Sequence, residues 1–176
     1  MQSIPVYFGL GTNVGDRSAN LAEAQRRLNA ELGVCARAES SVLTTPAWGF
    51  DGDDFLNCVL RYDLPCELFL RPLTRPMPPS PESVFSDSQA LALLDTVKRI
   101  ETQMGREQNV QYDAEGKRIY HSRIIDIDIL FIGTQRFSLE RLTVPHPLMA
   151  QRDFVMVPLR EIVSSEIQSA FPEIFA

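Results

Sequence analysis

Two aspartates are threaded into the apolar run Arg123-Ile124-Ile125-Asp126-Ile127-Asp128-Ile129-Leu130-Phe131. Side chains alternate between the faces of a strand, so Asp126 and Asp128 point one way and Ile125, Ile127 and Ile129 the other. Same-face neighbours lie roughly 7 Å apart, which lets two carboxylates hold hard cations jointly. A segment this rich in isoleucine favours burial, and two uncompensated buried carboxylates are very costly. A positive partner is therefore expected, and a metal ion is the leading candidate. The plainer alternative is the solvent face of an edge strand, with Lys117, Arg118 and Arg123 as salt-bridge partners.

Other residues near that strand suit a polyanion. Arg106 and Arg123 bracket a polar stretch upstream of it. Arginine forks match phosphate oxygens bidentately, and phosphoryl transfer depends mainly on positioning and charge neutralisation. His146 stands between Pro145 and Pro147, which hold the backbone extended and give the ring a set place. With Arg141 and Arg152 nearby it suits a phosphate, although a lone histidine is more commonly structural or solvated. Gly9-Leu10-Gly11-Thr12-Asn13-Val14-Gly15 follows a predicted strand, but its spacing is GxGxxxG rather than the dinucleotide-binding GxGxxG, so a tight strand-to-helix turn is favoured. No GxxxxGK(S/T) or GxSxG sequence is present, and the two histidines are not at zinc spacing.

At 176 residues the chain is expected to form one domain, 1–176, with a proper core. Its net charge of −6 argues against a general nucleic-acid binder. That charge is uneven: residues 1–97 carry 7 basic and 12 acidic side chains, whereas residues 98–152 carry 9 and 7. The basic residues thus gather around the Asp pair, as suits a small polyanion held with metal. Cys35, Cys58 and Cys66 are odd in number and lack metal-ligand spacing, so they are expected to be reduced core thiols. No apolar run has the length of a membrane span and the N-terminus lacks a signal pattern, so a cytoplasmic protein is expected.

Ile4 to Leu10 predicts a strand, and a helix should start near Asp16 or Ser18, bury Leu21, Ala24, Leu28 and Leu32, and end at Gly33. Strands are predicted over Val34 to Leu43 and Phe55 to Tyr62. Five prolines between 72 and 85 mark an irregular, exposed stretch. A second helix is expected after Ser86 or Ser88, with Leu94, Val97, Ile100 and Met104 on one face and Gly105 at its end. A long loop over Gly105 to Ser122 precedes the Asp strand at 124–132. This order is the split βαββαβ of a ferredoxin-like α+β fold, an antiparallel sheet with helices packed on one face. The alternation in 55–62 and 124–131 predicts that the other face stays open for a site.

Taken together, these segments resemble the 6-hydroxymethyl-7,8-dihydropterin pyrophosphokinases of folate synthesis. The matching pieces are Gly9-Leu10-Gly11-Thr12-Asn13, Ser40-Ser41 through Thr45-Pro46, Asp54-Phe55-Leu56-Asn57, and Arg99-Ile100-Glu101 with Gly105-Arg106. They continue with Arg123 to Leu130, Leu142-Thr143-Val144-Pro145-His146-Pro147 and Phe154 to Ile162. The resemblance implies pyrophosphoryl transfer from ATP to the pterin hydroxymethyl oxygen with release of AMP. It implies two Mg²⁺ ions on Asp126 and Asp128, and Arg106 and Arg123 as catalytic arginines. Glu101, Arg141, Thr143, His146 and Arg152 match ATP-side positions, and Thr45, Pro46, Phe55, Asn57 and Phe154 match the pterin pocket. The expected partners are these small molecules alone, with no nucleic acid or membrane, and the expected state is a monomer.

The chain departs from the family in places. Tyr120-His121-Ser122 stands where Trp-Gly-Pro is common, so Tyr120, with His121 as the alternative, is the expected substitute over the pterin. Thr44 replaces an arginine before Thr-Pro, and the stretch at about 72–85 reads as an insertion. The chain stops soon after the closing segment, so a C-terminal helix of some members is expected to be missing. ATP and Mg²⁺ are expected to bind first, with residues 107–122 folding over as the pterin arrives. Two other classes fit an Asp-x-Asp strand on such a sheet: a nucleotidyl transferase, and a non-catalytic binding module.

Overall fold

The computed structural model describes residues 3–47, 52–65, 85–107, 111–112, 118–119 and 122–176. The Pro-rich stretch expected as an insertion lies outside them except for Phe85, as do Cys66, Tyr120 and His121. Ile4, Val6, Phe8 and Leu10 alternate with other residues, and the chain from Ser3–Thr12 forms the first strand, β1. Gly15, at φ 65°, turns it into helix α1, Arg17–Leu32. The Asp16 carboxylate accepts the Ala19 N–H at 3.0 Å as N-cap, and Gly33 ends the helix at φ 66°, a left-handed conformation that only glycine adopts freely.

The strand expected over residues 34–43 is instead two short pieces, β2 (Ala38–Glu39) and β3 (Leu43–Thr45). Ser40 causes the break: its Oγ accepts the Val59 N–H at 2.8 Å, taking the place of a backbone carbonyl in the ladder. Beyond it, the Ser41 N–H and Oγ both donate to the Glu161 carboxylate, at 2.7 and 2.5 Å. Strand β4 (Phe55–Pro65) and helix α2 (Asp87–Gln103) follow, α2 opening with a capping box between Ser86 and Gln89. Within the stretch read as a loop, β5 (Gln111–Tyr112) pairs with β6 (Arg118–Ile119). Strand β7 is Asp126–Ile132, and β8 (Phe137–Leu139) with β9 (Leu142–Val144) forms a hairpin. A 3-10 turn at Met149–Gln151 leads into α3 (Asp153–Ile162), α4 (Ser165–Ala170) and α5 (Pro172–Phe175).

In the main sheet β4, β1 and β7 lie side by side and antiparallel, with β2 and β3 both on the outer edge of β4. Counting β2 and β3 as one broken strand gives the strand order and helix placement of the ferredoxin-like βαββαβ fold, as expected. The helices α1 and α2 cover one face. There Ile4, Val6, Phe8 and Leu10 of β1 join Leu60, Tyr62 and Leu64 of β4 and Ile127 and Ile129 of β7, packed on Leu28, Leu93, Val97 and Ile100.

The opposite face is not left open along its whole length. Tyr7, Phe131, Leu159, Ile167 and Phe171 form a second buried cluster in which α3 to α5 cover one end. Phe131 packs against Phe171 with ring centroids 5.0 Å apart, and the Tyr7 hydroxyl accepts the Ser164 N–H at 3.1 Å. The sequence shows only a short apolar stretch, Phe154 to Leu159, and no helix is expected from it, so α3, α4 and α5 are all additions to the expected fold. Among the thiols, Cys58 is buried as expected, with burial pushing its pKa up to about 12, but Cys35 is exposed just past α1. No helix among the described residues is long and apolar enough to cross a membrane.

Candidate active site

Antiparallel register sets the site. Gly11 of β1 faces Asn57 on β4 and Asp126 on β7, and Gly9 faces Val59 and Asp128. Two transverse rows, Asn57–Gly11–Asp126 and Val59–Gly9–Asp128, therefore cross the sheet on the face away from α1 and α2. The next row, Arg61–Tyr7–Phe131, lies under the C-terminal helices. Glycine in the middle strand lets side chains of the neighbouring strands lie close over the first two rows, Leu130 over Gly9 and Asn57 over Gly11. A Cβ at Gly11 would stand 3.0 Å from Asn57 Oδ1, so glycine is favoured there by close approach rather than by a turn.

Above these rows is a cleft of about 770 Å³, partly open to solvent. Its walls bring together Thr45, Pro46, Phe55, Asn57 and Phe154 with Arg123, Asp126, Asp128 and Arg152. The Asn57 amide donates to Thr45 Oγ at 2.9 Å, which orients its carbonyl oxygen towards the cleft floor at Gly11. Arg152 lies over the Phe154 ring, 5.7 Å from its centroid.

The two carboxylates differ sharply in their surroundings. Asp126 Oδ1 accepts from Arg106 Nη1 at 2.5 Å, and Oδ2 accepts from Arg123 Nη1. Burial pushes its carboxyl up, but the two guanidiniums outweigh this and hold it below the usual range. Among the described residues, Asp128 has only longer contacts, from Oδ2 to His146 Nε2 at 3.9 Å and to Arg152 Nη1 at 4.0 Å. Burial, and then the charge of Asp126, raise its carboxyl. Burial likewise lowers His146, against the pull of Asp128. Side-chain exposures of 23% and 32% show that both carboxylates, although enclosed by the cleft, can be reached from it.

This donor set fits a hard divalent cation. Asp128 is a carboxylate whose ionised form is under-compensated, and Asp126 lies beside it on the same face. Among the described residues no third His, Cys, Asp or Glu completes a protein cage. Other ligands must then come from water or phosphate, which is how Mg²⁺ is usually held.

Glu101 sits behind the cleft rather than in it. It is fully buried in the last turn of α2 and accepts from Lys98 Nζ at 2.9 Å, from Arg106 Nη1 and from the Ile127 N–H at 2.8 Å. Burial raises its carboxyl while Lys98 and Arg106 pull it down. Gly105, at φ 93°, lets the chain reverse so that Arg106 lies back over Glu101, with the Arg106 N–H on the Glu101 carbonyl at 3.0 Å. One carboxylate thus ties a catalytic-arginine candidate to the backbone between the two aspartates.

His146 follows a cis Val144–Pro145 bond, and its N–H reaches the Leu130 carbonyl at 3.2 Å. Arg141 and Thr143 are not in the cleft: Arg141 is exposed and pairs with Asp95 Oδ1 at 2.5 Å, and Thr143 is exposed on β9. Residues absent from the sequence-based site are Gly9, Gly11, Val59 and Asn13. Two glycines two apart inside a strand pattern were the available signal, since such spacing marks a close approach. Asn13 carried no signal of its own.

Residues 7–74 and 83–164 match the family model described as 7,8-dihydro-6-hydroxymethylpterin-pyrophosphokinase (HPPK), the gap falling within the Pro-rich stretch. The chain is 34% identical over 157 residues to a 2-amino-4-hydroxy-6-hydroxymethyldihydropteridine pyrophosphokinase of Methylorubrum extorquens, covering 89% of this chain and 80% of that protein. It is 31% identical over 170 residues to the protein of the same description from Aquifex aeolicus, covering 94% and 84%. A mitochondrial folate synthesis bifunctional protein of Pisum sativum is 33% identical over 168 residues, which are 96% of this chain and 27% of that longer one. A crystal structure of HPPK-DHPS in complex with substrates has a TM-score of 0.56 at 13% identity, over 97% of this chain and 43% of that one, a likeness of fold.

Proposed function

The chain belongs to the 7,8-dihydro-6-hydroxymethylpterin pyrophosphokinase family, and from that premise we propose that it moves the pyrophosphoryl group of ATP to the hydroxymethyl oxygen of 6-hydroxymethyl-7,8-dihydropterin. In this reading that oxygen bonds to the β-phosphorus, the bond from β-phosphorus to the α-side bridging oxygen breaks, and AMP leaves with the electron pair. The hydroxyl proton goes to water. The observation that carries the reading is the Asn57–Gly11–Asp126 row: an amide able to read a heterocycle's edge and a carboxylate able to hold cations share one sheet face, two strands apart. Strand spacing puts their Cα atoms roughly 10 Å apart, and the cleft that would take the pterin lies over the row.

Phe55 and Phe154 flank the pterin, and Asn57, Thr45 and Pro46 contact its edge, the combination of apolar walls and a few polar groups usual in small-molecule sites. Arg106 and Arg123 converge on Asp126, so both forks are at hand for the oxygens of the migrating group. Arg152 and His146 approach Asp128 from the side of α3 and contact ATP phosphates. Asp126 and Asp128 hold Mg²⁺, two ions in this reading, whose charge offsets that of the triphosphate and the leaving AMP. Glu101, Arg141 and Thr143 belong to the nucleotide end, Glu101 by fixing Arg106. A monomer in the cytoplasm, acting on small molecules alone, completes the proposal.

The test is AMP formation from ATP and Mg²⁺ with and without 6-hydroxymethyl-7,8-dihydropterin. Pterin-dependent AMP is expected. Release of inorganic pyrophosphate would instead mark a nucleotidyl transferase, and no turnover with tight pterin binding would mark a binding module.

A further inference from the structure

Asn13, immediately after β1, is 1% exposed and fully engaged. Its Nδ2 donates to the Asp53 carbonyl and to Ser122 Oγ, both at 3.1 Å. Its Oδ1 accepts the Arg123 N–H at 2.6 Å, and its own N–H donates to the Arg123 carbonyl at 3.0 Å. Arg123 precedes β7, which starts at Asp126, and β1 pairs with β7 only from Gly11 onward towards Val6. Regular sheet pairing therefore does not fix Arg123, and Asn13 holds both its backbone N–H and its carbonyl. Neighbouring groups stiffen the clamp: Thr12 Oγ donates to the Ile124 carbonyl at 2.6 Å, and Asn20 Nδ2 donates to Thr12 Oγ at 3.3 Å and to the Val14 carbonyl at 2.7 Å.

We propose that Asn13 is a positioning residue for the transfer, setting the place from which the Arg123 guanidinium reaches the phosphates. The same amide holds the Asp53 carbonyl, two residues before Phe55, so it couples the arginine to the wall that carries Phe55 and Asn57. Only a primary amide can accept from one backbone N–H while donating twice; aspartate keeps the acceptor and loses both donors, and alanine loses all three side-chain bonds, keeping only the backbone bond to the Arg123 carbonyl. Displacement of a reacting group by about 1 Å can cost on the order of 100-fold in rate. The proposal rests on the reading of Arg123 as a phosphate-handling residue.

The experiment is a double-mutant cycle in kcat between Asn13→Ala and Arg123→Ala, under conditions where circular dichroism shows each variant folded. Asn13→Ala is expected to lower kcat roughly 10- to 100-fold with KM for ATP changed less than about threefold. In the Arg123→Ala background the same change should cost less than about threefold, because its effect runs through the arginine. Asn13→Asp should retain more kcat than Asn13→Ala, and it carries the cycle if the alanine variant does not fold. Losses that multiply independently, or wild-type turnover in Asn13→Ala with Arg123→Ala impaired, would overturn the proposal alone. Unchanged turnover in Arg123→Ala would overturn the reading of Arg123 and this inference with it.

Discussion

On the face that α1 and α2 cover, every second residue of β1 from Ile4 to Leu10 is buried among apolar side chains. On the other face the intervening residues Tyr7, Gly9 and Gly11 see three environments in turn: a helix-covered aromatic cluster, then two rows of an open cleft. The same strands and the same alternation thus produce a stabilising surface and a chemical one. What separates them is what lies over the middle strand. Apolar residues on one side pack under α1 and α2, whereas on the other Gly9 and Gly11 form part of the cleft floor, with Leu130 and Asn57 close against them. Carboxylates tolerated beside that cleft would be ruinous on the opposite face, where they would be buried without a partner.

Truncating the helix-covered face should give the largest effect on stability. Phe8 is fully buried and meets Tyr62 edge-on at 5.7 Å. Phe8→Ala is expected to cost about 3–5 kcal/mol in urea denaturation, through lost burial and the cavity left behind. Asp128→Asn should do the reverse, lowering turnover roughly 100- to 1000-fold while leaving the fold intact. Burial and Asp126 raise its carboxyl, so the ionised form weakens the fold increasingly as pH rises above the unfolded carboxylate value. At pH 7 the variant's urea midpoint should therefore equal or exceed that of the wild type. A large drop would mean that the Asp pair is structural and would collapse the contrast between the faces.

Gly11→Ala probes the cleft floor itself. The new methyl would press on Asn57 Oδ1, so KM for the pterin should rise about 10-fold with little change in KM for ATP, as for loss of one uniform binding contact. The smallest effect is expected on the outer surface of α1, where Arg26, first, and Arg27 lower the Glu23 carboxyl to about 2. A depressed acid contributes stability above its unfolded value and loses it as pH falls through the folded one. The melting-temperature gap between wild type and Glu23→Gln should be small, complete above about pH 4.5, and closing towards pH 2. A gap that widened on acidification would reverse the sign of that ion pair.

Helices α1 and α2 and most strands of the main sheet were legible because periodicity reports burial, and caps such as Asp16, Ser86 and Gly33 have local chemistry. The Asp pair was legible for the same reason, since charge at period two inside an apolar run conflicts with simple burial. The broken edge strand was not, because Ser40 replaces a ladder partner through its side chain, a choice made by Val59, 19 residues away. Glu101 read as a nucleotide-side residue, but nothing in a helical pattern says that a glutamate lies fully buried beneath an arginine. Arg141 read as part of the same group, and its pairing with Asp95 depends on where the β8–β9 hairpin meets α2.

By itself the sequence determined which residues face together: alternation puts Asp126 with Asp128 and Asn57 with Val59, whatever surrounds them. Motif order was enough to specify the family. Only the tertiary structure decided which residues meet across strands. Register between β4, β1 and β7 lines up Asn57, Gly11 and Asp126, although they lie far apart in the chain, and a one-residue slip would have sent them to opposite faces. That register follows from long-range packing on α1 and α2 and from single side chains such as Asn13, which no local pattern encodes.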